Sequence, residues 1–413
     1  MGRTMIVRDP VHGDLEFSES ERRVMDTPQF QRLRGVRQTG TAHLVYPGCL
    51  HTRFEHSLGT SAFARRIIDS LRRRGHTISD RQEATVSLAG LVHDISHLPF
   101  GHTFEDERKL FPRHDSADRL QHFLRSGEIG EAIEASGMGE DVIGLLTEPS
   151  FPTPWMQQII SSTIDADLLD YLRRDAYFAG LRQDYDDRIF STFVLDSGQL
   201  AVDTTKMSTR TEILHLLRLR YFLTERIYYH HAKVVSGAMI AKAVELAVQG
   251  GLTESHLYGM TDDALLRDLL VTGDDRIERL IRNLNRRRLL KRAYTLSTAQ
   301  VGRQGRDDLI ATYNRSIKNR QEVENLIADS VVLHPDQVIL YCPDISSIKE
   351  ARVLVRSRDG VRRLNEPRDN PPLDVKGVED QYERLWRLYV FAPEGYQDRV
   401  GGLCERIFGE KSA

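Results

Sequence analysis

The chain has 413 residues, of which 40% are hydrophobic and 28% charged, so a disordered chain is excluded and one large domain with a smaller one is expected. Its 57 basic and 60 acidic residues leave a net charge of −3, which gives no general attraction to nucleic acid or to an anionic membrane. The 3 cysteines lie far apart, and no stretch approaches the ~18 apolar residues of a membrane span. We therefore expect a cytoplasmic protein without a signal peptide, a membrane contact or a nucleic-acid partner.

Amphipathic helices are predicted from about residue 20 to residue 330. In the first long helix, over 53–74, apolar residues recur every three to five positions, and Gly75 ends it. The next helix is predicted to begin with a capping box of Asp80 and Glu83 and to run as far as the adjacent residues His93 and Asp94.

Two more helices are predicted, with a hairpin between them. One begins near Pro154, where proline suits an early helical position, and runs unbroken to Gly180. The other spans 208–249 and is interrupted only by Gly237. Between them, within 183–206, the alternating residues 192–203 (TFVLDSGQLAVD) around a Ser-Gly centre predict a small β-hairpin near 190–206.

After residue 330 the sequence pattern changes. Residues 338–344, 351–357 and 386–393 read as strands, and helices are predicted near 378–386 and 395–408. The segment 364–374, rich in proline and aspartate, is predicted to be a loop. The sequence thus predicts a mainly α protein, with a helical core over 1–330 and a small C-terminal α+β lobe over 331–413.

Histidine is concentrated in one part of the chain. Of 15 histidines, nine lie in the 80 residues from 43 to 122 (43, 51, 56, 76, 93, 97, 102, 114 and 122). Because imidazole binds metals and transfers protons near neutral pH, this region is the first candidate for a functional site. Surface histidines gathered by chance are the alternative.

A metal site is predicted from His56, the pair His93 and Asp94, and Asp167, each on a predicted helix. Two imidazoles and two carboxylates form a donor set that suits Fe, Mn, Co, Ni or Zn, with Mg as a second ion near phosphate oxygens. The sequence does not choose among these metals. A lone His56 would more often be a core histidine, and the whole pattern is what favours a metal ligand.

The segments around these residues resemble the HD-domain phosphohydrolases, and within them the deoxynucleoside triphosphate triphosphohydrolases. This group includes the bacterial dGTPase-like enzymes and the animal sterile-alpha-motif/HD-domain enzyme. The resemblance lies in residues 51–59 (HTRFEHSLG), 93–102 (HDISHLPFGH) and 164–171 (IDADLLDY), with 9–13, 25–34 and 228–234 in support. It covers nearly the whole chain, and because it starts almost at residue 1 we expect no separate sterile-alpha-motif domain.

The resemblance implies hydrolysis of a dNTP to a deoxynucleoside and inorganic triphosphate, with His56, His93, Asp94 and Asp167 as metal ligands. His102 and His114 match histidines that lie close to the metal ligands in the family, and we expect His102 to act as general acid and His97 and His114 to contact phosphate. Glu105 lies three residues after His102, so on a helix its carboxylate would orient that imidazole and favour the cation. The family has aspartate where Glu105 stands.

Further residues match substrate contacts of the family. Arg53 lies one helical turn before His56 and would approach the same ion and its phosphates. If one helix covers 208–249, Arg220, Thr224, Tyr228 and His231 fall within an arc of about 80°. The resemblance assigns Arg220 to phosphate and Tyr228 to the sugar, and it assigns the 3′ side of the deoxyribose to three residues: Gln38, Tyr171 and Asp175.

Some features leave alternatives open. Leu168 follows Asp167 where relatives often have a basic residue, and Thr39 replaces a larger apolar one beside the sugar. Asp26, Gln31 and Arg34 match residues that bind an activating nucleotide in regulated relatives, or they are polar residues at a helix start and the core rim. The basic run 282–292 binds nucleic acid or a nucleotide, or it is a solvated helix face, which is the commoner case.

The function classes follow from the same motifs. The leading one is a metal-dependent dNTP triphosphohydrolase that forms a homo-oligomer, a tetramer or hexamer, with or without an activating nucleotide between subunits. The second is another HD phosphohydrolase, a nucleotidase or a phosphodiesterase on cyclic or oligonucleotide substrates. The chain has no HD…GYP pairing, and Ile-Ser-His follows the HD motif instead of the Glu-Asp of the alarmone hydrolases. The third is a nucleotide or nucleic-acid sensor with a vestigial site.

Overall fold

The computed structural model describes residues 5–105, 108–344, 353–358, 360–366 and 373–410. Its first element is an antiparallel hairpin, in which β1 (Met5–Asp9) pairs with β2 (Gly13–Phe17). The helices that follow as far as residue 180 are α1 (Glu19–Met25), α2 (Pro28–Gln31), α3 (Arg53–Arg73), α4 (Asp80–Val92), α5 (Ala117–Arg125), α6 (Gly127–Ala135), α7 (Gly139–Thr147), α8 (Pro154–Ile160) and α9 (Ala166–Phe178).

Helix α3 lies at the centre of this part and packs against α4 and α9. Its bounds agree with the predicted helix over 53–74. The apolar residues that predicted it are buried: Phe54, Leu58, Phe63, Ile67 and Leu71. The burial of this one face brings three helices together, and the segments that carry the candidate ligands lie on them or at their ends.

The predicted start of α4 was wrong by one residue. The N-cap is Ser79, whose hydroxyl accepts the Gln82 N–H, while Gln82 Oε1 accepts the Ser79 N–H at 2.9 Å. Asp80 is already inside the helix, and the carboxylate of Glu83 contacts Arg72 instead. The helix ends at Val92, so His93 caps it and Asp94 belongs to the turn that follows.

The unbroken helix predicted from Pro154 to Gly180 is in fact two, α8 and α9. Asp165 caps α9, and its carboxylate accepts the N–H groups of Ser162 at 2.6 Å and of Leu168 at 2.7 Å. Short polar side chains of this kind compete with helical hydrogen bonds, which is why the serine-rich segment 161–165 interrupts the helix. The break puts Asp167 in the first turn of α9, at the edge of the site.

The long helix predicted over 208–249 is also divided. Helix α10 (Met207–Leu223) leads into a π-helical turn (Thr224–Tyr228), and α11 (His231–Gln249) begins after an N-cap at His230. The interruption is thus not at Gly237, which lies inside α11. Because the π turn changes the angular spacing, the calculation that put Tyr228 and His231 on one face with Arg220 does not hold.

The predicted hairpin is present, with β3 (Phe193–Asp196) paired to β4 (Gln199–Asp203). Ser197 and Gly198 between them have φ values of 51° and 76°, as a tight two-residue turn requires. The remaining helices are α12 (Asp262–Leu269), α13 (Asp275–Asn285), α14 (Thr298–Leu309), α15 (Ile317–Val331), α16 (Leu373–Glu383) and α17 (Gln397–Phe408). The remaining strands are β5 (Lys291–Ser297), β6 (Ile339–Tyr341), β7 (Leu354–Ser357), β8 (Gly360–Arg363) and β9 (Arg387–Ala392).

The C-terminal strands belong to two different sheets. Antiparallel pairing gives the order β5-β9-β6, and β7 pairs in parallel with β4, so the hairpin continues into a sheet of order β3-β4-β7-β8. The mainly α class with a small α+β lobe is confirmed, while the division at residue 330 stays a prediction. The helix predicted over 378–386 begins earlier, at 373, and the predicted loop over 364–374 falls mostly outside the described residues.

The basic run 282–292 does not form one helix face. Helix α13 ends at Asn285 and β5 begins at Lys291, so the run spans a helix end, a loop and a strand start, and most of its basic side chains are exposed. None of the described helices is long and apolar enough to cross a lipid bilayer.

Candidate active site

Four side chains converge at the junction of α3, α4 and α9. Asp167 Oδ1 lies 2.9 Å from His56 Nε2 and 3.8 Å from His93 Nε2. Asp94 faces the same two rings, with Oδ2 3.6 Å from His56 Nε2 and Oδ1 3.5 Å from His93 Nε2. The four residues predicted to be ligands therefore surround one small volume.

The donor atoms fit a divalent transition metal. His56 Nε2 and His93 Nε2 are buried and face the carboxylates of Asp94 and Asp167. Each ring has its other nitrogen engaged, His93 Nδ1 with the Gly90 carbonyl at 2.8 Å and His56 Nδ1 with Asp170 Oδ2 at 2.7 Å. That arrangement leaves both Nε2 atoms directed at the carboxylates, as in metal sites whose histidines are oriented by an outer partner. Two imidazoles and two carboxylates suit Fe, Mn, Co, Ni or Zn.

Sequence reasoning missed the groups that orient His56. Asp170 is fully buried, and its other oxygen lies 2.6 Å from His12 Nε2. Arg174 donates to both oxygens of Asp170 at 2.9 Å and to Asp9 at 2.8 Å. The signal available in the sequence was the spacing of Asp170 and Arg174, four residues apart on one helix. The partners from the N-terminal hairpin could not be found that way.

The charges at this centre compensate one another. Burial opposes ionisation of Asp94, but the guanidinium of Arg53, which contacts Oδ2, and the His93 imidazole hold the pKa of that carboxyl well below its ordinary range. Burial also favours a neutral His56, yet hydrogen bonds to Asp167 and Asp170 outweigh it and raise the pKa of His56 to about 10. Without a metal, the site therefore holds a proton on His56.

Metal affinity of the metal-free protein should consequently rise with pH. Because the pKa of His56 is raised to about 10, a metal ion must displace its proton at any lower pH, and binding should strengthen by up to about tenfold per pH unit. Titration calorimetry with Mn²⁺ between about pH 6.5 and 8.5, in buffers of different ionisation enthalpy, should show proton release. An affinity that is constant over this range, without proton release, would contradict the expectation.

A second group of side chains adjoins the first. Glu105 Oε2 lies 3.2 Å from His102 Nδ1 and 3.0 Å from His114 Nδ1, while Glu105 Oε1 accepts the His114 N–H at 2.8 Å. The ring of His97 stacks on His114 with centroids 3.7 Å apart, and His97 Nε2 lies 3.2 Å from Asp94 Oδ1. The predicted pairing of Glu105 with His102 is present, although the two lie on a short 3₁₀ turn and not on an α-helix.

The three histidines of this second group differ in environment. The side chain of His102 is 47% exposed, that of His114 is 12% exposed, and that of His97 is fully buried. Burial, together with the nearby Arg53 and His114, lowers the pKa of His97 well below its ordinary value, so this ring is neutral. Burial would favour a protonated Glu105, but His114 and His102 hold its pKa well below the ordinary value, and the carboxylate is ionised.

The residues expected at the sugar lie around Asp175. Its carboxylate accepts the Tyr228 hydroxyl at 2.6 Å and faces His51 Nε2 at 2.8 Å, and sequence reasoning did not assign a role to His51. The Tyr171 ring lies 6.5 Å from that of Tyr228 and 5.9 Å from the guanidinium carbon of Arg220. The structure thus brings these groups together even though the helix carrying Arg220 and Tyr228 is not continuous.

Gln38 lies beside the same group. Its backbone N–H donates to the His51 carbonyl at 3.1 Å, and its side-chain oxygen is buried without a partner among the described residues. Leu168, by contrast, is buried in the apolar core, so its side chain adds nothing polar to the site.

The three residues predicted to bind an activator have partners of their own. Gln31 donates to the Met25 carbonyl at 2.7 Å and accepts from Arg34 Nε at 2.8 Å. The guanidinium of Arg34 lies 3.5 Å from the centroid of the Phe54 ring, and Asp26 pairs with an arginine of its own helix. Asp26 and Gln31 thus lie at the ends of α1 and α2 and not at a helix start, and an activator site there stays a prediction.

A histidine and aspartate at the end of one helix, completed by a histidine and an aspartate from two others, define the HD-domain class of phosphohydrolases. The chain belongs to this family, because the HD domain model matches residues 53–175 and the HD associated region model matches residues 184–412. A crystal structure of a phosphohydrolase from Bacteroides thetaiotaomicron has the same fold, with a TM-score of 0.72 at 20% identity over 94% of this chain and 100% of that one.

Relatives confirm the predicted resemblance. An uncharacterized protein of Methanocaldococcus jannaschii is 29% identical over 401 residues, which cover 94% of this chain and 79% of that protein. The deoxynucleoside triphosphate triphosphohydrolase SAMHD1 of Gallus gallus is 29% identical over 277 residues, or 59% of this chain and 45% of that protein. The chain thus spans about half the length of this vertebrate relative.

Proposed function

We propose that the protein is a metal-dependent dNTP triphosphohydrolase that releases a deoxynucleoside and inorganic triphosphate. The observation that carries this proposal is the position of Asp94. Its Oδ2 lies 3.6 Å from His56 Nε2, and its Oδ1 lies 3.5 Å from His93 Nε2, 3.2 Å from His97 Nε2 and 3.9 Å from His114 Nε2. The proposed metal site and the cluster of phosphate-binding and proton-donating groups therefore both contact the Asp94 carboxylate. Relatives with the HD domain carry the name of this reaction.

The metal would be held by His56, His93, Asp94 and Asp167. Such a divalent ion, when bound, activates water and neutralises charge on phosphoryl oxygens. We propose Fe, Mn, Co, Ni or Zn at these donors and Mg as a second ion beside the phosphates. Arg53 keeps Asp94 ionised and oriented, since its guanidinium contacts that carboxylate and is itself buried.

His102 suits the role of general acid. In the reaction a water oxygen bonds to the α-phosphorus and its proton is lost to solvent, the bond from phosphorus to the 5′-oxygen breaks, and the leaving 5′-oxygen takes a proton from the general acid. His102 is the exposed member of its cluster, and the carboxylate of Glu105, 3.2 Å from its Nδ1, orients the ring that would give that proton. We assign His97 and His114 to contacts with the phosphate groups of the substrate. Because the His97 ring is neutral, it can orient a phosphate by a hydrogen bond without adding a positive charge.

The remaining contacts fit a deoxynucleoside. We assign the sugar to Tyr171, Tyr228 and Asp175, and a phosphate contact to Arg220. Gln38 brings a buried amide oxygen with no partner among the described residues, which suits a hydroxyl donor of the substrate. The buried Leu168 supplies no cation, so phosphate binding depends more on Arg53 and Arg220 than in relatives with a basic residue there.

Regulation and assembly are part of the proposal. The resemblance implies an oligomer, and we propose a homo-oligomer, tetramer or hexamer, for this chain. Asp26, Gln31 and Arg34 are the residues we would assign to an activating nucleotide.

The products of nucleotide hydrolysis distinguish the proposed function from its alternatives. Purified protein is incubated with each dNTP singly and with all pairs, in Mn²⁺, Mg²⁺ or Co²⁺, and the mixtures are separated by ion-exchange and reversed-phase chromatography. We expect free deoxynucleoside and inorganic triphosphate in equal amounts, and activity that needs a second dNTP would identify an activator. His102→Ala and Glu105→Gln should each lower kcat by about 10²-fold or more, the range of a lost proton donor.

Other outcomes would replace the proposal. Orthophosphate as the sole phosphate product, or turnover only of monophosphates, cyclic nucleotides or oligonucleotides, would identify a different HD phosphohydrolase. Binding of nucleotide or nucleic acid that survives His93→Ala, with a steep salt dependence and no turnover in any mixture, would identify a sensor.

A further inference from the structure

A buried ionic cluster lies next to the proposed active site but contacts none of the proposed metal ligands. Its five members are no more than 3% exposed and come from three parts of the chain: Arg108, Lys242, Glu245, Arg320 and Glu324. Lys242 and Glu245 belong to α11, and Arg320 and Glu324 to α15. Only Arg108 comes from the segment between the HD motif and α5, three residues after Glu105.

Arg108 joins the other two parts through two edges of its guanidinium. Nε and Nη2 each donate to Glu245 at 2.9 Å, and Nη1 donates to Glu324 at 2.9 Å. Paired hydrogen bonds of this kind fix both distance and orientation. The Arg108 carbonyl in turn accepts from Arg320 Nη2 at 3.1 Å, so backbone and side chain are both held.

The described residues near Arg108 are held as well. We call residues 101–105 and 108–114 the histidine loop, because they carry His102 and His114. Lys109 has a φ of 47°, a left-handed conformation that is unfavourable for its side chain, and its Nζ contacts Asp344 at 2.6 Å. The Leu110 N–H closes the turn on the Phe104 carbonyl at 2.8 Å. The surrounding contacts must therefore hold this backbone in place.

We propose that Arg108 is a positioning residue, through which α11 and α15 of the HD associated region hold His102, Glu105 and His114 in their working arrangement. Arg108 acts through the backbone, since its side chain points into the cluster and Glu105 has separate partners in Arg119 and the two imidazoles. The inference rests on the proposed function only for its kinetic test.

The charge balance makes the proposal testable. The cluster holds three cations, Arg108, Lys242 and Arg320, against two carboxylates, so Arg108→Met leaves two charges of each sign in mutual contact. A neutral cluster of that kind need not unfold the protein, whereas removing a glutamate would leave an unpaired buried cation. Arg108→Lys keeps the charge and loses the paired hydrogen bonds.

The experiment compares wild type, Arg108→Met and Arg108→Lys as the full chain. Hydrogen–deuterium exchange should rise in peptides covering the histidine loop and stay unchanged at α3 and α9. With dNTP and Mn²⁺, kcat should fall by about 10-fold to 100-fold, the cost of a misplaced catalytic group, while KM changes little. Metal content should equal that of wild type.

Arg279→Met serves as the control. Arg279, on α13, forms an ion pair with Asp336 at 3.5 Å, and neither residue belongs to the histidine loop. This variant should leave loop exchange and kcat unchanged. Loop exchange at the wild-type rate in both Arg108 variants would overturn the proposal, as would a loss of stability with an unchanged kcat. If Arg108→Met does not fold, Arg108→Lys decides alone. If wild type hydrolyses no dNTP, the proposed function fails while the exchange data still test the positioning role.

Discussion

Asp167→Ala should abolish hydrolysis, with a loss of about three orders of magnitude, and leave the protein folded. The carboxylate is the only donor that α9 contributes to the proposed metal site, and it lies 2.9 Å from His56 Nε2 and 3.8 Å from His93 Nε2. Its side chain is 37% exposed, so truncation opens onto solvent and creates no buried cavity. His93→Ala should have the same effect on activity.

The measurements are turnover of dNTP with Mn²⁺, metal content by mass spectrometry and thermal unfolding. Asp187→Ala is the control, because Asp187 is also a partly exposed carboxylate in an ion pair, with Arg66 at 2.6 Å, but lies outside the site. It should retain activity and metal. More than a few per cent of wild-type activity in Asp167→Ala would argue against a single ion shared by the four donors.

Local sequence patterns predicted the parts of the site that depend on one element. Helix α3 was found from its apolar spacing, and His56 on it could be joined to His93, Asp94 and Asp167 because histidine and aspartate recur in segments that resemble one family. Glu105 was paired with His102 from a spacing of three residues. The helix and the Glu105 pairing were found because their informative residues are close together in sequence, whereas the four ligands were joined only by the resemblance to one family.

What the sequence could not predict depends on contacts between distant segments. His12 meets Asp170 across 158 positions, and Arg108 meets Glu324 across 216, so neither pair leaves a local signal. The helix breaks at 161–165 and at the π turn were missed for a different reason. At 161–165 the carboxylate of Asp165 accepts backbone N–H groups and interrupts the helix, whereas at the π turn the Thr224 hydroxyl donates to the Arg220 carbonyl, a contact that bends helices. The apolar spacing on both sides of each break is helical.

Asp170→Ala should lower both stability and metal affinity. Asp170 is fully buried between Arg174, His12 and His56, and its removal leaves the buried Arg174 with Asp9 as its remaining carboxylate partner. Removing one partner of a buried ion pair lowers the free energy of unfolding by roughly 3–5 kcal/mol. Losing the group that orients a metal-binding histidine costs about 10-fold to 100-fold in metal affinity. Urea unfolding and Mn²⁺ titration measure the two effects.

The pH dependence of the unfolding free energy shows whether Asp170 acts as an ionised carboxylate or only by packing. Burial opposes ionisation of Asp170, but Arg174 and the hydrogen bonds from His12 and His56 hold its pKa well below the ordinary value. A carboxyl whose pKa is lower in the folded state than in the unfolded state stabilises the folded protein at pH values above its unfolded-state pKa of about 4. This stabilisation is lost as the pH falls towards the folded-state pKa. The difference in unfolding free energy between wild type and Asp170→Asn should therefore shrink below about pH 4.

Asp141→Asn provides the comparison, because Asp141 forms an Arg–Asp pair with Arg81 at 2.8 Å but is about half exposed. Exposed pairs contribute about 0–1 kcal/mol, so this variant should unfold close to wild type at every pH. If Asp170→Asn matches Asp141→Asn in stability and retains wild-type metal affinity, Asp170 does not hold His56 in place. A metal affinity that falls while stability is unchanged would instead limit its role to orienting the imidazole.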